Sequence, residues 1–143
     1  MLIKQISIFV ENKPGRLSAI TNLLKQNEID IRALSVADTK DFGILRIIVN
    51  KPDLACDALK AADCTVSLTN VIAIGVKDEP GGLAVALDCL YAANISVEYM
   101  YAFISKSEDM AYVILRVENN ENAVNALKEK GFSILDPEEV YGL

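Results

Sequence analysis

Asn12-Lys13-Pro14-Gly15-Arg16-Leu17 lies between an apolar run and a helical pattern, and Asp78-Glu79-Pro80-Gly81-Gly82-Leu83 repeats its form 66 residues later. Pro14 holds Lys13 in extended geometry and suits a first helical turn, while Gly15 lets another group approach the backbone closely. The same strand-to-helix turn at a fixed offset points to one fold used twice. Residues 8 to 31 and 74 to 97 share Ile8/Ile74, Val10/Val76, Pro14/Pro80, Gly15/Gly81, Leu17/Leu83, Leu24/Leu90 and Ile29/Ile95. Unrelated segments of ordinary composition would share roughly one or two.

Outward from the first turn, residues 2 to 10 alternate, with Ile6, Ile8 and Val10 on one face of a strand and Gln5, Ser7 and Phe9 on the other. Leu17, Ile20, Leu23 and Leu24 form the inward stripe of a helix that ends near Asn27. Residues 29 to 37 read as a second strand, Asp38 to Asp41 as a turn, and Phe42 to Val49 as a covered central strand. Asp53 is expected to cap a helix with Leu54, Ala55, Ala58 and Leu59 inward, and Thr65 to Leu68 is a short fourth strand. The order is βαββαβ, the split arrangement of a four-stranded antiparallel sheet with two helices on one face. The second half repeats it with a helix over 81 to 93, a strand over 95 to 104, a polar turn from Ser105 to Asp109 and a strand over 110 to 117. A helix over 120 to 130, stopped by Gly131, and a strand from Phe132 to Leu135 complete it. Aligning Arg46 with Arg116 gives an offset of 70, so the second hairpin is expected to be four residues longer.

The chain therefore reads as α+β, with tandem ferredoxin-like domains over 1–69 and 70–143. Asn70 is almost the only punctuation between them, so the halves are expected to be held close. Pairing the edge strands, 29 to 37 against 95 to 104, would make one eight-stranded antiparallel sheet with helices on one face. Face-to-face stacking of two sheets is the alternative.

Composition narrows the partners. Net charge is −6, which disfavours a nucleic acid or an anionic membrane. The N-terminus lacks a targeting pattern, and a soluble cytoplasmic protein is expected. Cys56, Cys64 and Cys89 are odd in number and sit in apolar patterns, as buried thiols do. With no histidine and no Cys-x-x-Cys, no metal or cofactor is expected.

The repeated βαββαβ unit, with Pro-Gly-x-Leu after a polar residue and the helix exits Asn27-Glu28-Ile29-Asp30-Ile31 and Ala93-Asn94-Ile95-Ser96-Val97, resembles the ACT family. Nearly the whole chain is covered, as in proteins made only of two tandem ACT domains. The resemblance implies binding of a free amino acid and regulation of a partner enzyme. It also implies that the ligand lies where the first loop of one unit meets the second-strand start of its neighbour. Asn12 to Leu17 would face Ile95, Ser96, Val97 and Glu98, and Asp78 to Leu83 would face Ile29, Asp30, Ile31 and Arg32.

The residues of the turn support an amino acid on their own account. Backbone N–H groups of Gly15, Arg16 and Leu17, or of Gly81, Gly82 and Leu83, stand at a helix start and favour a carboxylate. Asn12 and Asp78 suit an ammonium group, with Asp30 or Ser96 completing its shell. The plainer reading has Asn12 and Asp78 as helix caps and Pro-Gly as a turn. Gly82 in place of Arg16 predicts unequal pockets.

Arg46 and Arg116 read as structural or interface arginines. Tyr91, Tyr99, Met100, Tyr101 and Phe103 read as packing at the domain junction or a homodimer seam. Asp136-Pro137-Glu138-Glu139 reads as a solvated tail returning Val140 and Tyr141 to the fold. Without histidine, the usual imidazole triads are impossible, and carboxylates and cysteines lack a diagnostic catalytic spacing. A non-enzyme that binds a small ligand is the leading reading. A structural or interaction module, and a small enzyme using carboxylate or cysteine chemistry, are the alternatives.

Overall fold

The computed structural model describes residues 2–38, 41–104 and 109–143. Thr39 and Lys40 of the first expected turn, and Ser105 to Glu108 of the second, lie outside them. The elements are β1 (Ile3–Glu11), α1 (Arg16–Gln26), β2 (Ile31–Asp38), β3 (Phe42–Val49), α2 (Pro52–Ala61) and β4 (Thr65–Lys77), followed by α3 (Gly82–Ala92), β5 (Val97–Ala102), β6 (Met110–Val117), α4 (Asn120–Glu129), β7 (Ser133–Ile134) and α5 (Pro137–Tyr141). The α+β, ferredoxin-like reading of each half holds.

The expected break at Asn70 is a continuous strand. β4 runs 13 residues and serves as the last strand of the first half and the first strand of the second. No Gly or Pro interrupts Thr65 to Ile74, and Val71 to Val76 are buried on both faces, so nothing ends the hydrogen-bonded ladder there. The sheet accordingly has seven strands, in the order β2-β3-β1-β4-β6-β5 with β7 beside β4. The halves join through β4 instead of through a β2–β5 ladder. β2 and β5 still meet, at the antiparallel bridge Ala33–Phe103 and through Ile104 N–H donating to Arg32 O at 3.0 Å, so the sheet is curled.

Registers correct the expected repeat. Ile6 pairs with Ile47, whereas Ile72, its counterpart, pairs with Leu115, an offset of 68 on the third strand. The second hairpin is thus longer by two residues, and Arg46 corresponds to Ile114 in place of Arg116. Both second strands shift register at matching places, between Ile31 and Ala33 and between Val97 and Tyr99.

Four helices cover one face. Ile6, Ile8, Leu45 and Ile47 pack under α1 and α2, and Ile72, Ile74, Leu115 and Val117 under α3 and α4. Leu54 and Leu17, expected inward, keep nearly half of their surface in solvent, and Cys56 takes the buried place in α2. Pro52 opens α2 after Lys51, so Asp53 lies inside the first turn instead of capping, where it pairs with Lys4 at 3.0 Å. The opposite, concave face has its own core of Ile3, Ile48, Val71, Ala73 and Ile114, covered by Phe103 and by Leu135 and Val140 around α5. The expected acidic tail is this fifth helix, whose Asp136 N–H donates to Glu139 Oε2 at 2.8 Å.

Candidate functional site at the two turns

The two turns have one geometry. Gly15 and Gly81 both have φ 86°, in the left-handed region, and no atom lies within 4 Å of where a Cβ would stand. Asn12 N–H donates to Asp41 O at 3.1 Å, and Asp78 N–H to Asp109 O at 2.9 Å. Neither α1 nor α3 has a side-chain cap; the capping position is the glycine itself. Arg16 N–H, expected to be open, donates to Lys13 O at 3.3 Å, and Gly82 N–H to Glu79 O at 3.0 Å. The groups ahead of the first helical bonds, Ala19 to Gly15 and Val85 to Gly81, are therefore the N–H groups of Leu17 and Ser18 and of Leu83 and Ala84.

Side chains then make the turns unequal. A Cβ on Gly82 would stand 2.0 Å from Lys77 O, so the second turn packs too tightly for the side chain that Arg16 carries in the first. Glu11 pairs with Lys13 at 2.9 Å, and the Lys13 hydrogen bond and charge, with Arg16 beyond, hold its carboxyl below the ordinary range. The counterparts of Glu11 and Lys13 are Lys77 and Glu79, with the signs exchanged.

Each turn borders a cavity inside its own half. The first, about 540 Å³, lies between α1, the end of β1 and the α2–β4 turn, and is lined by Glu11, Arg16, Ile20, Phe42 and Asp63 among others. The second, about 470 Å³, occupies the matching place, lined by Lys77, Glu79, Gly81, Val85 and Phe132 among others. Ile95, Ser96 and Glu98 line a third cavity of about 440 Å³ with Glu118 and Asn119. These cavities do not join a turn to the strand start of the other half. The antiparallel bridge does run β5 back along β2, so the start of β5 lies toward the same end of the sheet as Asn12 to Leu17, with β2 and β3 between.

At the strand starts, Asp30 is paired with Arg32 at 3.0 Å, and its N–H donates to Asn50 Oδ1 at 2.9 Å. Arg32 also donates to Tyr141 O at 2.9 Å, which ties the C-terminal helix to β2. Glu98, at the matching position, pairs with Arg116 at 3.4 Å.

The aromatic residues of β5 meet the first half inside the curl. Tyr101 Oη donates to Gln5 Oε1 at 2.6 Å, Gln5 Nε2 donates to Tyr99 Oη at 2.8 Å, and Arg46 stacks on Tyr99 at 3.9 Å. Burial first, then the neighbouring Tyr99, pushes the Tyr101 hydroxyl far above its ordinary pKa, with Arg46 opposing. Junction packing is thus the role of Tyr99, Tyr101 and Phe103, whereas Tyr91 is exposed.

Sequence reasoning missed Glu11, Phe42, Asp63, Lys77, Lys130 and Phe132 as cavity walls. Their only signal is position, at strand ends and helix exits that become neighbours once the strands pair. Among the described residues no three acidic or cysteine groups gather as a metal site, and no helix is long and apolar enough to cross a membrane.

A family model described as an ACT domain pair matches residues 1–143. A protein from Bacteroides thetaiotaomicron, known as a crystal structure, is 40% identical with a TM-score of 0.94 over 100% of this chain and 98% of its own. The ligand-free regulatory subunit of aspartate kinase from Thermus thermophilus is 17% identical with a TM-score of 0.68, over 91% of this chain and 94% of its own. That from Thermus flavus is 15% identical with a TM-score of 0.61, over 88% and 90%. No curated protein matches. With the doubled turn, the repeated βαββαβ order and a family match from end to end, the chain belongs to the ACT family as a pair of ACT domains.

Proposed function

We propose that this chain is a non-catalytic regulatory protein that binds a free amino acid at its Pro-Gly turns. The observation that carries the reading is the matched pair Gly15 and Gly81, each at φ 86° with open space before it, at the start of a helix without a side-chain cap. N–H groups of Leu17 and Ser18, or Leu83 and Ala84, would take the carboxylate, and Asn12 or Asp78 the ammonium.

The proposed site comprises Asn12 to Leu17 and Asp78 to Leu83. The strand starts Ile29 to Ile31 and Ile95 to Glu98 complete it. Because the cavities keep turns and strand starts apart, closure of the site asks for movement at the curl or for a second copy of the chain. Leu34 and Val36 on β2 and Met100 on β5 leave apolar side chains exposed on the terminal strands, which supports a homodimer. The units are residues 1–69 and 70–143, sharing β4. Three free cysteines suit a cytoplasmic location. The Thermus proteins are named as regulatory subunits of a kinase, and by analogy this chain would act on a separate enzyme.

Titration calorimetry of the full chain against the twenty amino acids tests the reading. One or a few should give saturable heat, with Kd on the order of 1 mM or tighter. No saturable heat from any of them at millimolar concentration would sink it. A G15V/G81V double variant with an unchanged circular dichroism spectrum should lose that heat, and retention would move the site elsewhere.

A further inference from the structure

We infer that the cavity beside the second turn binds a small aliphatic carboxylate, and that its counterpart beside the first turn does not. Both cavities arise because a strand outruns its neighbour. β1 pairs with β4 only as far as Phe9 and Thr65, leaving Val10 and Glu11 with no β4 partner. β4 pairs with β7 only at Ile74 and Gly75, leaving Val76 and Lys77. A helix roofs each gap, and the turn before the last strand floors it. At about 470 Å³ the second gap has the size of a small-molecule site.

Its walls define the ligand. Val76, Val85 and Phe132 give an aliphatic and aromatic lining, and open space stands before Gly81 where a side chain would be. Lys77 and Lys130 also line it, against the one carboxylate of Glu79, and neither lysine has an ion-pair partner among the described residues. The matching positions in the first cavity are Glu11 and Ala62, and Asp63 stands where the second has Gly131. The first therefore carries two carboxylates against Arg16, and one of them already holds Lys13. An apolar slot with two unpaired ammonium groups favours an aliphatic body ending in one negative charge, since a charged end inside an apolar site needs a partner. The same body in the first cavity meets like charge.

The inference goes beyond the amino-acid reading, because its ligand needs no ammonium group. Heteronuclear NMR of the labelled full chain tests it with 3-methylbutanoate, and with 3-methylbutanamide as the uncharged isostere. Saturable shifts are expected at Val76, Val85, Lys130 and Phe132 for the acid, with the amide weaker by about tenfold or more. Ala19 and Leu23 of the first cavity should stay in place. A K77M/K130M variant with an unchanged amide spectrum should bind the acid about tenfold more weakly, and K77R/K130R should retain it. Equal binding of acid and amide, comparable shifts at Ala19 and Leu23, or no saturable shift overturns the inference. If the acid fails while an amino acid gives heat in calorimetry, the proposed function stands and this site falls; the reverse result separates them the other way.

Discussion

Gln5 has no solvent exposure, yet both ends of its amide are satisfied by residues that the chain supplies more than ninety positions later. Its carboxamide accepts from Tyr101 and donates to Tyr99 and Ser7. A Tyr101→Phe variant leaves Oε1 of Gln5 buried without that donor, and the expected loss is about 1–3 kcal/mol by urea unfolding. The same hydroxyl makes stability depend on alkaline pH. The folded chain keeps the Tyr101 proton above the ordinary value of 10.0, while the unfolded chain releases it there. The contribution is whole below that value and is lost as pH rises beyond it. Urea midpoints should fall above pH 10 less steeply in Tyr101→Phe than in the parent. Alternation in the sequence placed Gln5 opposite Ile6 and Ile8, but periodicity gives a side and not what will cover it.

Each of the first four helices stops in the same way. The residue after the cap is left-handed, at Glu28 (φ 56°), Asp63 (φ 62°), Asn94 (φ 59°) and Gly131 (φ 84°). The next N–H then reaches back into the last turn: Ile29 to Leu24 O, Cys64 to Leu59 O, Ile95 to Leu90 O and Phe132 to Leu127 O. Three of the four carry a side chain where glycine is easier. Glu28→Gly should therefore raise stability by about 0.5–1 kcal/mol, and Gly131→Ala should lower it by about 1 kcal/mol, both read as thermal shifts. Helices and turns were legible because their signals are local. Leu54 against Cys56 in α2 was not, since neighbouring apolar residues on a ten-residue helix allow two readings of the stripe. The acidic start of the short α5 reads as a solvated tail and hides the helix, although the return of Val140 to the fold is legible.

The molecule as a whole has no seam. Ile3, Ala33 and Ile48 from the first half and Ala73, Phe103, Ile114 and Val140 from the second share one core. Scanning calorimetry should show a single transition with equal calorimetric and van't Hoff enthalpies, and two resolved transitions would contradict a common core. Asn70→Pro puts a ring without an N–H in the middle of continuous β4, opposite Lys4 on β1, and should cost about 3 kcal/mol or more. The two βαββαβ units and both turns could be read from the chain because each is built from local pattern. The join could not: whether two strands separated by one asparagine are two or one depends on what packs on both their faces. Gly82 in place of Arg16 signals that the two turns differ, but the cavities inside each half are not legible, because their charged walls come from distant strand ends and helix exits.

β4 also restricts how this architecture can change over generations. Its 13 residues span about 43 Å with the two Pro-Gly turns served from opposite ends. A tandem duplication usually leaves a joint that can lengthen or shorten freely, but here the joint is a pleated strand. One residue inserted beside Asn70 would swing Ile72, Ile74 and Val76 from the helices to the concave face and expel every contact of the second core at once. Descendants of this chain can drift in their turns and surfaces, while the distance between the two halves is inherited as a fixed count.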